Sequence, residues 1–195
     1  IESNADYIKE MGFDAIWLTP IVDNPDEAFT GGDAVQWKGM FQDQGKTGYH
    51  GYWGSNFHAV DEHLPSKDLD FGALTRQLSE RGIATVLDIV GNHGSPAFGM
   101  PTVQPKYGQI FDKNGVLLAD HQNLPADKLD PAHIPLHRFY NSKTEMVQLS
   151  DLNENNPEVM DYLVDAYLQW IDQGAGAFRI DTIKHMPLSF WKAFS

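Results

Sequence analysis

Hydrophobic residues along the chain follow two patterns in turn, one typical of amphipathic helices and one typical of buried strands. Apolar residues at helical spacing predict helices over 4–11, 70–81 and 156–174, with a further helix beginning at Pro187. Glycines close the first three helices, and an Asn-Pro-Glu sequence opens the third. Short apolar runs predict buried strands at Ala15–Leu18 and 83–89, the second of them continuously apolar as far as Asp88, and 177–180 is the third predicted strand. Helices therefore alternate with strands, which predicts a sheet of parallel strands covered on both faces.

The lengths of the connections narrow this α/β prediction. Every link from a helix to the next strand is a few residues long, whereas two links from a strand to the next helix cover about 19–69 and 90–155. Long insertions confined to the carboxyl ends of strands are typical of the active-site loops of a β/α barrel. A doubly wound sheet obeys the same rule, so the pattern by itself leaves both architectures open.

Composition and charge exclude several classes of function. The chain has 195 residues, with 14 Lys and Arg against 27 Asp and Glu, a formal net charge of −13. This balance argues against binding to nucleic acid or to an anionic membrane surface. The absence of Cys excludes disulfides and thiolate catalysis, and no apolar run is long enough to predict a transmembrane helix. Because the chain opens at Ile1 with neither Met nor a signal-peptide pattern, we interpret it as an internal fragment of a longer protein.

Two clusters of polar residues stand at the ends of predicted strands. The first is Asp88 with Asn92 and His93, for which the alternative is a turn carboxylate beside a surface histidine. In the second, the period of two along a strand puts Arg179 and Asp181 on the same face. An unpaired charge inside a parallel strand is unfavourable, so these two side chains either pair or face a polar cleft. A guanidinium there keeps a carboxylate ionised, as a nucleophile requires, although a structural salt bridge would look the same in the sequence.

Four segments carry a resemblance to the α-amylase family of retaining glycoside hydrolases, glycoside hydrolase family 13. The segment 88–93 resembles the family's Asp-x-x-x-Asn-His motif after the third barrel strand, and 176–185 resembles its Gly-x-Arg-x-Asp-x-x-Lys-His motif on the fourth. Lesser matches are 48–53 and 148–153, and all four stand in the family's order. The resemblance implies a partial (β/α)8 barrel, about strands 2 to 4, with an irregular insertion after strand 3.

The resemblance also implies a role for each matching residue. Asp181 would be the nucleophile, Arg179 would orient it, and Asp88 would support the arginine. His93 would hydrogen-bond the sugar in the cleavage subsite, and the ring of Tyr52 would stack on that sugar, with core packing as the alternative for Tyr52. The remaining residues implied in substrate binding are Trp53, Lys184 and His185.

The resemblance further implies a structural Ca²⁺. Its ligands would be Asn92, Asp151 and the backbone carbonyl of His185, an oxygen-only set that suits a hard cation. The ion would tie the insertion, 94–150, to two parts of the catalytic barrel, 1–93 and 151–195. No histidine pair has the spacing of a zinc motif.

Two departures from the family pattern affect the expected activity. The family's general acid, a Glu on the next strand, and a further Asp would lie beyond Ser195. We therefore expect the 195-residue chain alone to be inactive. Cyclodextrin-forming relatives carry an aromatic residue where this chain has Val147, which favours hydrolysis of α-1,4-glucans, although Tyr140 is a neighbouring aromatic that could take that role. The alternatives are a cyclodextrin glucanotransferase, a cyclomaltodextrinase-type relative or a non-catalytic glucan-binding protein. We expect an α-glucan as partner, no protein partner, and a secreted or periplasmic bacterial location.

Overall fold

The computed structural model describes residues 1–30, 45–97, 104–121, 134–142, 146 and 148–195. Its strands in chain order are β1 (Ala15–Leu18), β2 (Val22–Asp23), β3 (Asn56–Val60), β4 (Ala84–Val90), β5 (His93–Pro96), β6 (Gln109–Phe111), β7 (Leu117–Asp120), β8 (Leu149–Asp151) and β9 (Ala177–Asp181). Its α-helices are α1 (Ala5–Glu10), α2 (Phe71–Glu80), α3 (Pro157–Asp172) and α4 (Leu188–Phe194). Short 3₁₀ helices cover Glu2–Asn4, Ile134–Phe139 and Ile183–His185. Across this described part of the chain, every helix is too short or too polar to cross a membrane.

The three predicted strands form one parallel sheet in the order β1-β4-β9. This confirms the parallel α/β arrangement, with β4 displaced by one residue from the predicted run and β9 extended by one residue to include Asp181. The helices between these strands begin where the sequence predicts. The Asp70 carboxylate accepts a hydrogen bond from Ala73 N at 2.7 Å, and the Asn156 side chain accepts one from Glu158 N at 3.0 Å.

The two faces of this sheet differ in chemistry. Leu87 and Ile89 of β4 point to the face that packs on α2 and α3, where they join a core containing Phe71, Leu163 and Trp170. The opposite face carries charged and aromatic side chains from all three strands, namely Trp17, Asp88, Arg179 and Asp181. The pleat of the strands therefore separates the core from the chemistry.

The long links contain short antiparallel pairs that the sequence analysis did not predict. These pairs are β2 with β3, β5 with β8, and β6 with β7. The β6–β7 hairpin packs on the rest of the chain, since Phe111 N donates to Ser55 O at 2.8 Å and the Tyr162 hydroxyl of α3 donates to Phe111 O at 2.8 Å. Ile110 and Ala119 of this hairpin belong to the main core. The described part of the predicted insertion is therefore packed against the sheet and its helices.

Candidate active site

Asp88, Arg179 and Asp181 meet at the carboxyl ends of β4 and β9. Arg179 Nη1 donates to both carboxylate oxygens of Asp88 at 3.0 Å and to Asp181 Oδ1 at 2.8 Å. Asp88 and Arg179 are register partners, and Arg179 and Asp181 are two residues apart on one strand, so the pleat places all three on the same face. The predicted pairing of Arg179 with Asp181 is confirmed, whereas their role in catalysis stays a prediction.

Exposure distinguishes the two carboxylates. The Asp88 side chain is fully covered, whereas the Asp181 side chain is 20% exposed and that of Arg179 is 42% exposed. The hydrogen bonds from Arg179 to Asp88, and secondarily to Asp181, raise the pKa of the guanidinium above its ordinary value. One cation faces two carboxylates, which leaves a net negative charge. Of the two carboxylates, Asp181 is the one with surface left to meet a ligand.

Tyr52 contacts the same group through its hydroxyl. The hydroxyl donates to Asp88 Oδ2 at 2.7 Å, and partial burial, followed by this hydrogen bond, raises the pKa of Tyr52 to about 12. The phenol therefore stays protonated and acts as a donor at neutral pH. Tyr52 is half-buried and also packs against the main core. The structure thus assigns its hydroxyl to Asp88, and stacking of its ring on a sugar stays a prediction.

His93 lies buried next to this group. Burial chiefly lowers its pKa to about 4, and the nearby His185 and His50 lower it further, while a hydrogen bond with the backbone of Tyr52 opposes the shift. The imidazole is therefore neutral at pH 7. His185 is close enough to His93 to contribute to this shift, although the two residues follow different strands of the sheet, β4 and β9. Lys184, beside His185 in the 3₁₀ helix, is exposed.

Trp53, implied in substrate binding, and Tyr140, the aromatic residue neighbouring Val147, are both packed against other rings. Trp53 is 5% exposed, and its ring lies 6.4 Å from that of Phe29 and 6.2 Å from that of Tyr107. Tyr140 is 4% exposed, stacks on His121 at 4.6 Å and donates to Gly108 O at 2.7 Å. Both rings are buried, so Tyr140 does not present the aromatic surface around which a glucan could curl, and a role for Trp53 in substrate binding stays a prediction. Val147 lies outside the described residues.

The predicted metal ligands Asn92 and Asp151 lie on adjoining segments. The register pairs His93 with Asp151, and Leu152 N donates to Asn92 O at 2.8 Å. Asn92 and Asp151 are 1% and 6% exposed, so both the amide and the carboxylate are withdrawn from water. Asn141, which the sequence analysis did not select, donates from Nδ2 to Asp151 Oδ2 at 3.2 Å. Buried oxygen donors of this kind fit a hard cation.

Acidic side chains also gather at a second place. The groups Asp26, Glu62, His63 and Asp23, Asp61, Glu62 each bring three potential ligand atoms within 4.8 Å of one another. They belong to the β2–β3 region and share no residue with Asn92, Asp151 and His185. His63 Nδ1 lies 2.9 Å from Asp61 Oδ1, and this interaction raises the pKa of the histidine.

Three further residues contact the site, and sequence reasoning gave none of them a role. Trp17 of β1 places its ring 5.3 Å from Arg179 Cζ. His50 Nδ1 accepts a hydrogen bond from Tyr52 N at 3.0 Å. Its position in the 48–53 segment could have indicated from the sequence that it belongs to the site. The Tyr167 hydroxyl of α3 donates to Val90 O at 2.5 Å and accepts from Val90 N at 3.1 Å. Trp17 and Tyr167 looked like ordinary apolar positions of a strand and a helix.

Comparison with known proteins gives a consistent result. The family model "Alpha amylase, catalytic domain" matches residues 1–116. The cyclomaltodextrin glucanotransferase of Klebsiella oxytoca is 34% identical over 192 residues, which is 94% of this chain and 26% of that protein. A cyclomaltodextrin glucanotransferase of Niallia circulans is 31% identical over 199 residues, with 98% of this chain and 25% of the relative covered. The chain therefore spans about a quarter of the length of these relatives.

Solved structures agree in fold. A cyclomaltodextrin glucanotransferase with a three-domain ABC distribution, CldA, superposes with a TM-score of 0.76 at 29% identity, covering 99% of this chain and 37% of that one. The α-amylase of Geobacillus thermoleovorans, complexed with acarbose, superposes with a TM-score of 0.64 at 30% identity, covering 99% and 35%. With its parallel β1-β4-β9 sheet and a catalytic-domain match over more than half of its residues, the chain belongs to the α-amylase family.

Proposed function

We propose that this chain is part of the catalytic domain of a glycosidase that cleaves α-1,4-glucosidic bonds of starch-type glucans. The observation that carries the proposal is Arg179, which bridges the buried Asp88 and the more exposed Asp181 through one nitrogen. A partly exposed carboxylate held against a guanidinium at the carboxyl ends of parallel strands suits a nucleophile for an anomeric carbon.

The proposed reaction is a double displacement with retention of configuration. Asp181 would attack the anomeric carbon and form a covalent glycosyl-enzyme while the leaving glucan oxygen takes a proton from a general acid. Water would then attack the same carbon, give its proton back to that acid group and release Asp181. The family resemblance implies a glutamate outside these 195 residues as the general acid. The Arg179 guanidinium, 2.8 Å from Asp181, would stabilise the negative charge of the free nucleophile.

A second candidate function is glucanotransfer. The curated relatives described above are cyclomaltodextrin glucanotransferases, at 34% and 31% identity. The two reactions share the glycosyl-enzyme and differ in the acceptor, which is water in hydrolysis and a sugar hydroxyl in transfer. Two observations support hydrolysis as the first candidate. Tyr140 is buried, and the chain has Val147 at the position where cyclodextrin-forming relatives carry an aromatic residue.

The test uses the complete protein that carries this chain. Wild type should release linear maltooligosaccharides from soluble starch, whereas cyclic or elongated glucans would establish the glucanotransferase instead. Asp181→Asn should lower kcat by several orders of magnitude while glucan binding, measured by titration calorimetry, is retained. The matched control is Asp161→Asn on the exposed side of α3, which should act as wild type. A binding protein without activity would bind glucan equally in all three forms and release no product.

We also propose a structural Ca²⁺ held by Asn92, Asp151 and the backbone carbonyl of His185. The ion would supply positive charge that links β5 and β8, the two ends of the insertion, and stabilises the fold beside Asp181. Added Ca²⁺ should raise the Tm of the chelator-treated protein, and Asp151→Asn should remove most of this rise. Glu62→Gln, in the separate acidic group, is the control and should keep the rise. An equal rise in Asp151→Asn would contradict this ligand set.

A further inference from the structure

We propose that Trp17 is a positioning residue that sets the plane of the Arg179 guanidinium and thereby the orientation of Asp181. This inference deepens the proposed function and rests on it. The observation is the contact between the Trp17 ring and Arg179, with Cζ 5.3 Å from the ring centroid. This distance is within the range in which a cation is attracted to the face of an aromatic ring.

The hydrogen bonds to Asp88 and Asp181 leave the orientation of the guanidinium open. Both bonds to Asp88 and the bond to Asp181 come from the same atom, Nη1. Bonds that converge on one nitrogen hold that atom in place, but they allow the planar group to swing about it. A bidentate pair through two nitrogens would fix the plane, whereas here a second contact is required. The Trp17 ring supplies that contact from a different strand.

The register explains why a tryptophan is needed for this contact. Trp17 pairs with Val86 of β4, and Val86 pairs with Ala177 of β9, so these residues share one face of the sheet. Arg179 is two residues further along β9 on that face. Two strand spacings separate β1 from β9, about 10 Å, so only long side chains reaching toward each other can meet across β4.

The contact also has an electrostatic consequence. Arg179 is attracted by two carboxylates, and the completely covered Asp88 holds it more strongly than the partly exposed Asp181. Without the contact with the Trp17 ring, the guanidinium would rotate toward Asp88 and its bond to Asp181 would lengthen. Trp17 therefore acts through Arg179 on the nucleophile and does not itself touch the reacting atoms.

The test compares Trp17→Leu with Trp17→Phe in the complete protein, with Phe13→Leu as a matched control because Phe13 is a similarly exposed aromatic residue (57% against 60%) outside the sheet. Trp17→Leu should lower kcat on a maltooligosaccharide by about 2- to 30-fold, the range of a cation–π contact. KM should change less, and the acidic limb of the kcat profile should move to higher pH. Trp17→Phe should recover most of kcat, and Phe13→Leu should match wild type.

A readout independent of activity separates this inference from the proposed function. Side-chain ¹⁵N relaxation of Arg179 should show a more mobile guanidinium in Trp17→Leu than in wild type and Trp17→Phe. If wild type has no action on glucans, the proposed function fails, and the relaxation data still decide the contact. An Arg179 side chain equally ordered in Trp17→Leu, or an unchanged pH profile with kcat lowered equally by Leu and Phe, would overturn the inference.

Discussion

Replacing Asp88 with Asn tests how the buried carboxylate is held. Its side chain is fully covered and accepts both bonds from Arg179 at 3.0 Å, together with one from the Tyr52 hydroxyl at 2.7 Å. An amide has nearly the same shape and its oxygen still accepts from Tyr52, but its NH2 group donates, so the substitution removes the negative charge and one of the two acceptor atoms opposite Arg179. A hydrogen bond to a charged group contributes about 1.5–3 kcal/mol. Breaking a fully buried pair costs about 3–5 kcal/mol, but Arg179 is 42% exposed and screened by solvent. We therefore expect the unfolding free energy to fall by about 2–3 kcal/mol.

The assay is urea unfolding of the complete protein at pH 7, with the unfolding free energy taken from the midpoint at a constant slope. The control is Asp14→Asn, which removes a carboxylate 2.6 Å from Lys9 with 86% of the Asp14 side chain exposed. An exposed ion pair of this kind contributes little, so the control should stay close to wild type. A midpoint for Asp88→Asn no lower than that of Asp14→Asn would refute the argument that burial makes the Asp88 pair important.

Two further predictions concern pH and backbone strain. Burial, with His137 nearby, lowers the pKa of His121 from 6.5 to about 3, so the unfolded chain binds more protons than the folded chain between these values. The contribution to stability is complete above pH 6.5 and is lost as the pH falls toward 3. His121→Phe, which keeps a ring against Tyr140, should reduce the fall in unfolding free energy by up to about 1.4 kcal/mol per pH unit; parallel curves for the two proteins would contradict this. Gly51, at φ 84°, would place a Cβ 2.0 Å from Pro20 O, whereas Gly115, at φ 74°, has nothing within 4 Å. Gly51→Ala should therefore lower both stability and kcat more than Gly115→Ala, because it displaces the segment that carries Tyr52. Equal effects of the two substitutions in unfolding and activity assays would contradict this and show that only the left-handed backbone matters.

The elements that local sequence determines were predictable. Helix α3 has its Asn156 cap, Pro157 in the first turn and apolar residues at helical spacing, so each local preference agrees with the final structure. The three parallel strands are short, largely apolar segments that each follow a short link from a helix, and their type follows from that pattern. The bounds of β1 are those predicted, whereas β4 is displaced and β9 is extended by one residue, because the last residue of a strand depends on its hydrogen-bonded neighbour.

The strands of the long links could not be predicted, because local sequence does not determine them. β2 has two residues and β5 has four, which is too short for a period of two to stand out. Their pairing partners lie far away in the chain, as β5 pairs with β8 more than fifty residues later. Pairing of this kind depends on the packed tertiary structure, which local propensity does not report.

Part of the candidate site followed from strand periodicity alone. A period of two placed Arg179 and Asp181 on one face, and the structure confirms it. The contact with Asp88 needs the register of β4 against β9, which the sequence does not show, and family resemblance suggested it instead. Trp17 could not be found because its contact crosses two strand spacings. The packing of Trp53 against Phe29 and Tyr107 was not predicted, because these partner rings lie far from it along the chain.

The core behind the sheet and the charged group in front of it are connected through one residue of α3. The Tyr167 hydroxyl bonds both the N and the O of Val90, the last residue of β4, and Val90 is the register partner of Asp181. Tyr167 is itself buried against Phe57 and Phe178. The position of the carboxyl end of β4 is therefore set by the packing of α3, and the same strand end carries Asp88 two residues earlier. A substitution in the apolar core that shifts α3 should consequently move Asp88 relative to Asp181, even though it touches neither carboxylate.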